Sequence, residues 1–245
     1  MIMELKVIGT GSKGNAYLLD DGQEALLIEC GVGIMDIKKA IGFNLDMIVG
    51  CIMTHEHKDH SRSINELISA GIDVWATEKT HEACGTIVHH RSCILKHHRR
   101  VNIGSFKVMP FDVKHDAKDP CGFLISHTDT GNILFITDSF YCPYTFRDLN
   151  NIIIEANYCP VIAKRKLSDM EFLRNRIIKS HMSIDTCEDL LLANDLGKVN
   201  NIVLIHLSDS NSDEKAFKLR IEKSTGKKVT VANNGLVINL NKTPF

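Results

Sequence analysis

The first third of the chain alternates short apolar runs with turn residues, which is the pattern of a β-sheet interleaved with helices. The predicted strands cover residues 4–8, 16–19, 25–30, 47–53 and 73–76. The predicted helices cover residues 34–41, 63–70 and 79–88. The run at 47–53 is almost wholly apolar, which indicates a strand that is buried on both faces.

The rest of the chain repeats this arrangement of strands followed by helices. Hairpins are predicted at 101–114 and at 122–137, followed by strands at 151–155 and 201–207. The predicted helices are 167–179, 183–193 and 213–224, and a closing hairpin is predicted at 228–240. Two such halves predict an α/β fold in which two sheets pack face to face with helices outside.

Length and composition agree with one domain over residues 1–245. The chain is 44% hydrophobic, and a chain of this length can bury a large core without disulfides or structural metals.

The net charge of −1 gives no overall attraction to nucleic acid or to an anionic membrane. No apolar run is long enough to span a bilayer and no signal peptide is evident, so we expect a cytoplasmic protein without a membrane partner. For a phage-encoded chain, that compartment would be the host-cell cytoplasm. The eight cysteines form no CxxC pair, which argues against a thiolate zinc site.

Three histidines and an aspartate fall within six positions directly after the apolar strand at 47–53. They are His55, His57, Asp59 and His60. Imidazole and carboxylate groups are ligands for zinc and similar metal ions, and on a tight loop they can form two neighbouring ligand groups. The chain has 12 histidines, so a chance cluster is the alternative interpretation. Chance does not explain why the cluster lies at the end of a buried strand.

Further residues of the same ligand types end other predicted strands. They are His115, Asp138 and His206. Each alone would more often be an ordinary polar residue at the end of a strand. Together with the histidine cluster they complete a set of ligands that suits two metal ions.

The cluster spells the motif H-x-H-x-D-H, and with it the chain resembles the metallo-β-lactamase superfamily. The resemblance extends along essentially the whole chain: Gly9 to Ser12 with Asn15, Ile28 to Gly31, and then His115, Asp138 and His206 in order. It implies an αββα sandwich of two mixed sheets flanked by helices, with the site at one edge of the sheets. Glu29 departs from the family pattern, which usually has aspartate there, but this position is not a ligand in the family.

The resemblance also implies how the metal ligands are divided. One ion would be bound by His55, His57 and His115, and the other by Asp59, His60 and His206. Asp138 and a hydroxide would bridge the two ions, and Asp59 would also orient the nucleophile. We expect two divalent ions, with zinc favoured and manganese as the alternative.

Two later segments resemble the ribonuclease Z-like phosphodiesterase branch of the superfamily. The run ending in Glu155-Ala156-Asn157 resembles the strand that carries a catalytic glutamate there, and His181-Met182-Ser183 resembles its H-x-[ST] motif. The resemblance implies that His181 donates a proton to the leaving oxygen and that Glu155 orients His181. A solvent-facing histidine and an ordinary carboxylate at the end of a strand are the alternatives.

The choice of substrate lies between two branches whose motifs overlap. One contains small bacterial exonucleases, and the other contains the phage anti-Pycsar phosphodiesterases, which cleave cyclic nucleotides. The basic runs at 96–100 and 164–166 are offset by 30 acidic residues, which favours a small anionic nucleotide over a long nucleic acid.

We therefore predict hydrolysis of 3′,5′-cyclic mononucleotides to nucleoside monophosphates, with a DNA or RNA exonuclease as the alternative. A thioester or lactone hydrolase and a non-catalytic nucleotide binder are the remaining alternatives. The resemblance further implies a homodimer.

Overall fold

The computed structural model describes residues 2–243, which form fourteen strands in two seven-stranded sheets. The strands are β1 (Met3–Gly9), β2 (Ala16–Asp20), β3 (Ala25–Ile28), β4 (Ile48–Ile52), β5 (Val74–Thr77), β6 (Ser92–Leu95), β7 (Val101–Ile103), β8 (Phe106–Asp112), β9 (Cys121–His127), β10 (Gly131–Ile136), β11 (Leu149–Glu155), β12 (Asn201–Ile205), β13 (Lys228–Val231) and β14 (Val237–Leu240). The first sheet has the order β14-β1-β2-β3-β4-β5-β6, and the second has the order β13-β12-β11-β10-β9-β8-β7. Both sheets contain parallel and antiparallel pairs.

The same residues form eight α-helices. They are α1 (Ile34–Ala40), α2 (Lys58–Ser61), α3 (Ile64–Ser69), α4 (Glu78–Cys84), α5 (Pro160–Lys166), α6 (Glu171–Ser180), α7 (Ile184–Leu192) and α8 (Glu214–Thr225). Ser183 caps α7, because its side-chain oxygen accepts a hydrogen bond from the backbone N–H of Thr186. None of these helices combines the length and the apolar character needed to cross a membrane.

Three apolar clusters separate four layers of structure. The central cluster lies between the sheets and includes Tyr17 and Phe135, whose rings meet edge to face with centroids 5.5 Å apart. A second cluster joins the first sheet to its helices through residues such as Leu67. A third joins the second sheet to its helices through residues such as Phe217. This is the predicted αββα sandwich, and the fold prediction is confirmed.

The direction of the strands determines where their loops lie. In the first sheet β3, β4 and β5 are parallel, and in the second sheet β10, β11 and β12 are parallel. Their carboxyl ends therefore lie at the same edge of each sheet, which is where open α/β sheets usually bind ligands. Every predicted metal ligand follows a strand that ends at this edge.

The predicted closing hairpin at 228–240 is wrong. The two strands exist, but β13 pairs in parallel with β12 in the second sheet, whereas β14 pairs antiparallel with β1 in the first. The turn between them crosses from one sheet to the other, and Gly235 in that turn donates its N–H to the carbonyl of Val7. Alternation of apolar residues predicts that a strand forms, but it does not identify the partner of that strand.

The predicted helix at 167–179 is partly wrong. The structure has two helices, because α5 begins with Pro160 at its first position and ends before Leu167, and α6 begins only at Glu171. The sequence interpretation also missed the short elements β6 and α2. Brief elements carry too few periodic positions to be distinguished from loops.

Gly31 lies where the end of β3 meets the loop that carries the histidine cluster. A Cβ atom at Gly31 would lie only 1.7 Å from the carbonyl oxygen of Asp59 and 2.8 Å from the backbone nitrogen of Asn15. The backbones meet closely here because the N–H of Asn15 donates to the carbonyl of Asp59 at 2.7 Å. Only glycine allows this approach.

We expect Gly31→Ala to lower the free energy of unfolding by about 3 kcal/mol or more, because the added methyl group overlaps the Asp59 carbonyl. Chemical denaturation followed by circular dichroism would measure the loss. Gly33→Ala is a matched control, since a Cβ atom there meets only the Asp36 carboxylate at 3.6 Å. The control should stay within about 1 kcal/mol of the parent protein. Equal stability of the two variants would contradict the packing argument.

Candidate metal centre

The structure brings the seven predicted metal ligands together at one edge of the two sheets. Their ligand atoms fall into two sets, each within 4.8 Å: His55, His57 and His115, and then Asp59, His60, Asp138 and His206. These sets match the division of ligands that the resemblance implies, with Asp138 assigned to the second. All of the residues lie in loops that directly follow strands or, for His57 to His60, at the start of α2.

The first set contains three imidazole rings, and in two of them, those of His55 and His115, the outer nitrogen is already engaged. His115 donates from Nδ1 to the carbonyl of Ser180 at 2.8 Å, which directs Nε2 towards Nδ1 of His57, 3.1 Å away. Nδ1 of His55 contacts the hydroxyl of Thr54 at 2.9 Å, which leaves Nε2 directed inward. Hydrogen bonds of this kind fix the tautomer and orientation of a ligating histidine.

The second set is arranged around the carboxylate of Asp138. Its Oδ2 atom lies 2.5 Å from Nε2 of His60 and 3.6 Å from Nε2 of His55. Its Oδ1 atom lies 3.4 Å from Nδ1 of His206. The carboxylate of Asp59 lies 3.5 Å from His60 and 3.7 Å from His206. Asp138 therefore stands between the two sets, where a bridging ligand would be needed.

Several buried polar atoms at this site lack a hydrogen-bond partner among the described residues. They are Nε2 of His55, Nε2 of His206 and Oδ1 of Asp138. Leaving such atoms unpaired costs about 1–3 kcal/mol each, so a folded protein rarely does so without reason. Divalent metal ions would satisfy all three atoms. The donor set suits zinc and manganese alike.

Two of these residues have unusual backbone conformations. Asp138 and His206 have φ angles of 45° and 56°, in the left-handed region that non-glycine residues rarely adopt. Each follows the last residue of a strand, β10 or β12, by one or two positions. Conformations of this kind cost about 1–3 kcal/mol and concentrate at functional sites. Here the side chains of Asp138 and His206 are directed towards each other, with Oδ1 of Asp138 3.4 Å from Nδ1 of His206.

The carboxylates at this site favour the protonated form of two of the histidines, His206 and His60. Burial disfavours the charged form of His206, but the nearby carboxylates of Asp138 and Asp59 outweigh it and raise its pKa to about 9. The pKa of His60 is raised for the same reasons. Burial and the neighbouring ring of His60 instead lower the pKa of His55. A metal ion must therefore displace protons from His60 and His206 when it binds.

Glu155 and His181 form a hydrogen-bonded pair beside the second set. The fully buried carboxylate of Glu155 accepts from Nδ1 of His181 at 2.8 Å. Its other oxygen accepts from the backbone N–H groups of Ser139 and Met182, both at 3.1 Å. Burial opposes a charge on His181, but Glu155 and the carboxylate of Asp138 raise its pKa to about 10. The imidazole is thus held in its protonated form.

The ring of His181 also lies close to the metal ligands. It stacks on the ring of His206 with centroids 5.3 Å apart and an interplanar angle of 19°. About a quarter of its side chain, 23%, is exposed to solvent. Because Nδ1 faces Glu155, the exposed part of the ring presents Nε2 to whatever lies in front of the site.

Two residues that were not among the predicted site residues contact the ligands from the side of the protein core. The side-chain amide of Asn157 donates to the carbonyl of His206 at 2.8 Å and lies 3.1 Å from Nδ1 of that residue. The carboxylate of Glu29 accepts from the backbone N–H of Thr54 at 3.2 Å and lies 3.5 Å from Nδ1 of His60. Both residues end buried strands with a polar side chain, and that signal could have identified them.

A cavity of about 340 Å³ opens in front of His181 and His206. One wall is largely apolar and is formed by Leu167, Leu173, Ile177 and Leu207. A second wall is polar and is formed by Ser12, Asn157 and residues 208–211. The volume is at the lower end of the range of ligand pockets, which suits one nucleotide.

Comparison with known proteins places this arrangement among metal-dependent enzymes. A family model described as "Metallo-beta-lactamase superfamily" matches residues 9–86. Exodeoxyribonuclease WalJ of Streptococcus pneumoniae is 25% identical over 222 residues, covering 84% of this chain and 82% of its own. Anti-Pycsar protein Apyc1 of Bacillus phage 010DV004 is 36% identical over 72 residues, covering 26% of this chain and 28% of its own. The metallo-beta-lactamase fold protein YhfI of Bacillus subtilis superposes with a TM-score of 0.74 at 17% identity, covering 98% of this chain and all of YhfI.

The similarity to these enzymes and the histidine- and aspartate-rich edge together indicate a metal-dependent hydrolase. The chain is similar to the metallo-β-lactamase superfamily over residues 9–86, and it shares the fold of the metallo-beta-lactamase fold protein YhfI.

The ligand division predicts how metal content responds to substitution. The parent protein should bind about two zinc ions per chain, and His115→Ala and His206→Ala should each retain about one. Elemental analysis after dialysis against limiting metal would measure the stoichiometry. Zinc should also stabilise the parent protein against unfolding by about 3 kcal/mol at a hundredfold excess over Kd. His90→Ala is the control, since His90 is exposed and remote from the ligands. If His115→Ala retained the full metal content, the proposed first set would be wrong.

Proposed function

We propose that the protein hydrolyses phosphodiester bonds, with the seven ligands named above binding two divalent ions. The observation that carries this proposal is the Glu155–His181 pair beside the proposed ligands, with a hydrogen bond of 2.8 Å. Phosphodiester hydrolysis expels an alkoxide, which leaves poorly unless a proton is supplied to it. Thioesters and lactones have better leaving groups and need no such pair, so the pair argues against these substrates.

Metal ions bound by these ligands would activate a water molecule and neutralise charge on the phosphate oxygens. The protein's own side chains would carry out the remaining steps. Asp59 is ionised, because the neighbouring rings of His206 and His60 outweigh the effect of its burial and hold its pKa well below the usual range. Its carboxylate, 28% exposed, would accept a hydrogen bond from the attacking water and orient it.

His181 would protonate the leaving oxygen from the opposite side. Its Nδ1 is committed to Glu155, so Nε2 carries the proton that is transferred. Glu155 is held in place by two backbone N–H groups and stabilises the positive charge on the imidazole before transfer. A protein that only binds nucleotides would not need this proton donor.

The first substrate candidate is a linear nucleic acid, cleaved from an end. The observation in its favour is the similarity to an exodeoxyribonuclease along 84% of this chain. The similarity includes the region of Glu155 and His181 as well as the histidine cluster. The nucleotide on the leaving-group side of the cleaved bond would occupy the cavity in front of His181.

The second candidate is a 3′,5′-cyclic mononucleotide, the substrate that the sequence interpretation favours. The observation in its favour is the small cavity, which has room for one nucleotide. The similarity to Apyc1 covers only 26% of this chain, so it adds less support than similarity along the whole length would. Zinc as the native metal, the homodimer and the cytoplasmic location stay predictions.

The role of His181 predicts a dependence on the leaving group. On a DNA strand, His181→Ala should lower kcat by about 10²- to 10⁴-fold, because the alkoxide leaves without a proton. On bis(p-nitrophenyl) phosphate the loss should be much smaller, since nitrophenolate leaves unassisted. Steady-state kinetics on both substrates would measure the difference. Asp59→Ala serves as the comparison, because orientation of water is needed for both substrates. An equal loss from His181→Ala on the two substrates would refute proton donation.

A single assay distinguishes the two substrate candidates. With the metal-loaded protein, we expect kcat/KM for the release of mononucleotides from linear DNA to exceed that for 3′,5′-cyclic mononucleotides by about tenfold or more. Chromatographic analysis of the products would measure both rates, with Asp59→Ala as the inactive control. Faster turnover of the cyclic nucleotide would reverse the order of the candidates.

A further inference from the structure

We propose that Arg176 is a substrate-binding residue that contacts a second phosphate group, one nucleotide beyond the bond that is cleaved. This inference rests on the proposed phosphodiesterase function. It adds a contact that a linear strand can make and that a cyclic mononucleotide, with its single phosphate, cannot. Arg176 would therefore help to determine which class of substrate the protein accepts.

The position of Arg176 on its helix brings it to the cavity. Arg176 lies on α6, and it lines the cavity together with Leu173 and Ile177, three residues before it and one after. These positions share one face of the helix. His181 directly follows α6 and lines the same cavity. The helix therefore holds the proposed proton donor and the guanidinium of Arg176 along one wall.

The guanidinium group of Arg176 has no ion-pair or hydrogen-bond partner within residues 2–243. Two other charged side chains nearby have partners. Arg174, on the same helix, donates to the carbonyl of Leu167 at 3.5 Å. Asp209, on the polar wall of the cavity, is paired with Lys13 at 3.2 Å. The guanidinium of Arg176 is therefore free to bind an anionic ligand. Arginine binds phosphate oxygens through two parallel hydrogen bonds.

The distance along α6 indicates which phosphate Arg176 would meet. Arg176 precedes His181 by little more than one helical turn, which is roughly 7 Å along the axis. Side chains on a helix tilt towards its N-terminus, so the guanidinium is directed further from the metal ligands. The reacting phosphate must lie against those ligands and His181. The phosphate within reach of Arg176 is therefore its neighbour on the side of the leaving group.

A comparison of two substrates tests the contact. The first is a short DNA strand, and the second is bis(p-nitrophenyl) phosphate, which has one phosphate. Arg176→Ala should lower kcat/KM on the strand about ten- to a hundredfold, mainly through KM. It should leave kcat/KM on the single-phosphate substrate within about twofold. Lys179→Ala is the matched control, because Lys179 is an exposed cation on the same helix that does not line the cavity. It should change neither value by more than about twofold.

A modified strand identifies the phosphate directly. Replacing the neighbouring phosphate with an uncharged methylphosphonate should cost the parent protein about as much as Arg176→Ala does. The same replacement should cost the Arg176→Ala variant little more, since the contact is already lost. The slope of log kcat/KM against log salt concentration should also become shallower by about 0.7 in the variant.

The outcomes of these experiments distinguish failure of the role of Arg176 from failure of the proposed phosphodiesterase function. Equal losses on both substrates, additive losses with the methylphosphonate, or no loss on the strand would each overturn the role of Arg176 and leave phosphodiesterase activity standing. Cleavage of cyclic mononucleotides alone would also overturn it. If the parent protein hydrolysed neither a strand, a cyclic nucleotide nor bis(p-nitrophenyl) phosphate, the proposed function itself would fail.

Discussion

The rest of the structure depends on one buried carboxylate, that of Asp138. Its oxygens lie between 2.5 and 3.6 Å from ring nitrogens of His60, His181, His206 and His55. A buried carboxylate without compensating cations is strongly unfavourable, so the fold must bring these histidines around it. They come from the loops after β4, α6 and β12. The two sheets and the helix layer over the second sheet therefore all have to be in place before the site exists.

A second layer of contacts holds the loops that deliver these histidines. The loop after β4 rests on the end of β3 through the close approach at Gly31, and Glu29 contacts both its beginning at Thr54 and its end at His60. The family pattern has the shorter aspartate at this position. The backbone of Glu29 adopts a φ of 65°, and its longer side chain contacts the loop at both Thr54 and His60. The departure from the family pattern is thus accommodated locally.

Most of the fold was predictable from the sequence because its strands are apolar and bounded by turn residues. The ligand residues were predictable because several His and Asp residues follow strand ends in the same chain, and because they match a family motif in order. What failed were features set by tertiary partners. The separation of β13 from β14 into different sheets depends on which sheet edge is free. The break between α5 and α6 likewise depends on contacts that no local pattern encodes.

The distribution of similarity along the chain suggests how the site is divided. The family model matches residues 9–86, which contain the histidine cluster and its supports but neither Glu155 nor His181. Apyc1 likewise resembles only about a quarter of the chain. These residues supply part of the proposed metal site, which could activate water for many reactions and so carries little information about the substrate. In the proposed mechanism the leaving group and the rest of the substrate would instead meet the second sheet and α6, where His181 and the cavity wall lie. Substrate selection should therefore be sought in the second half of the chain.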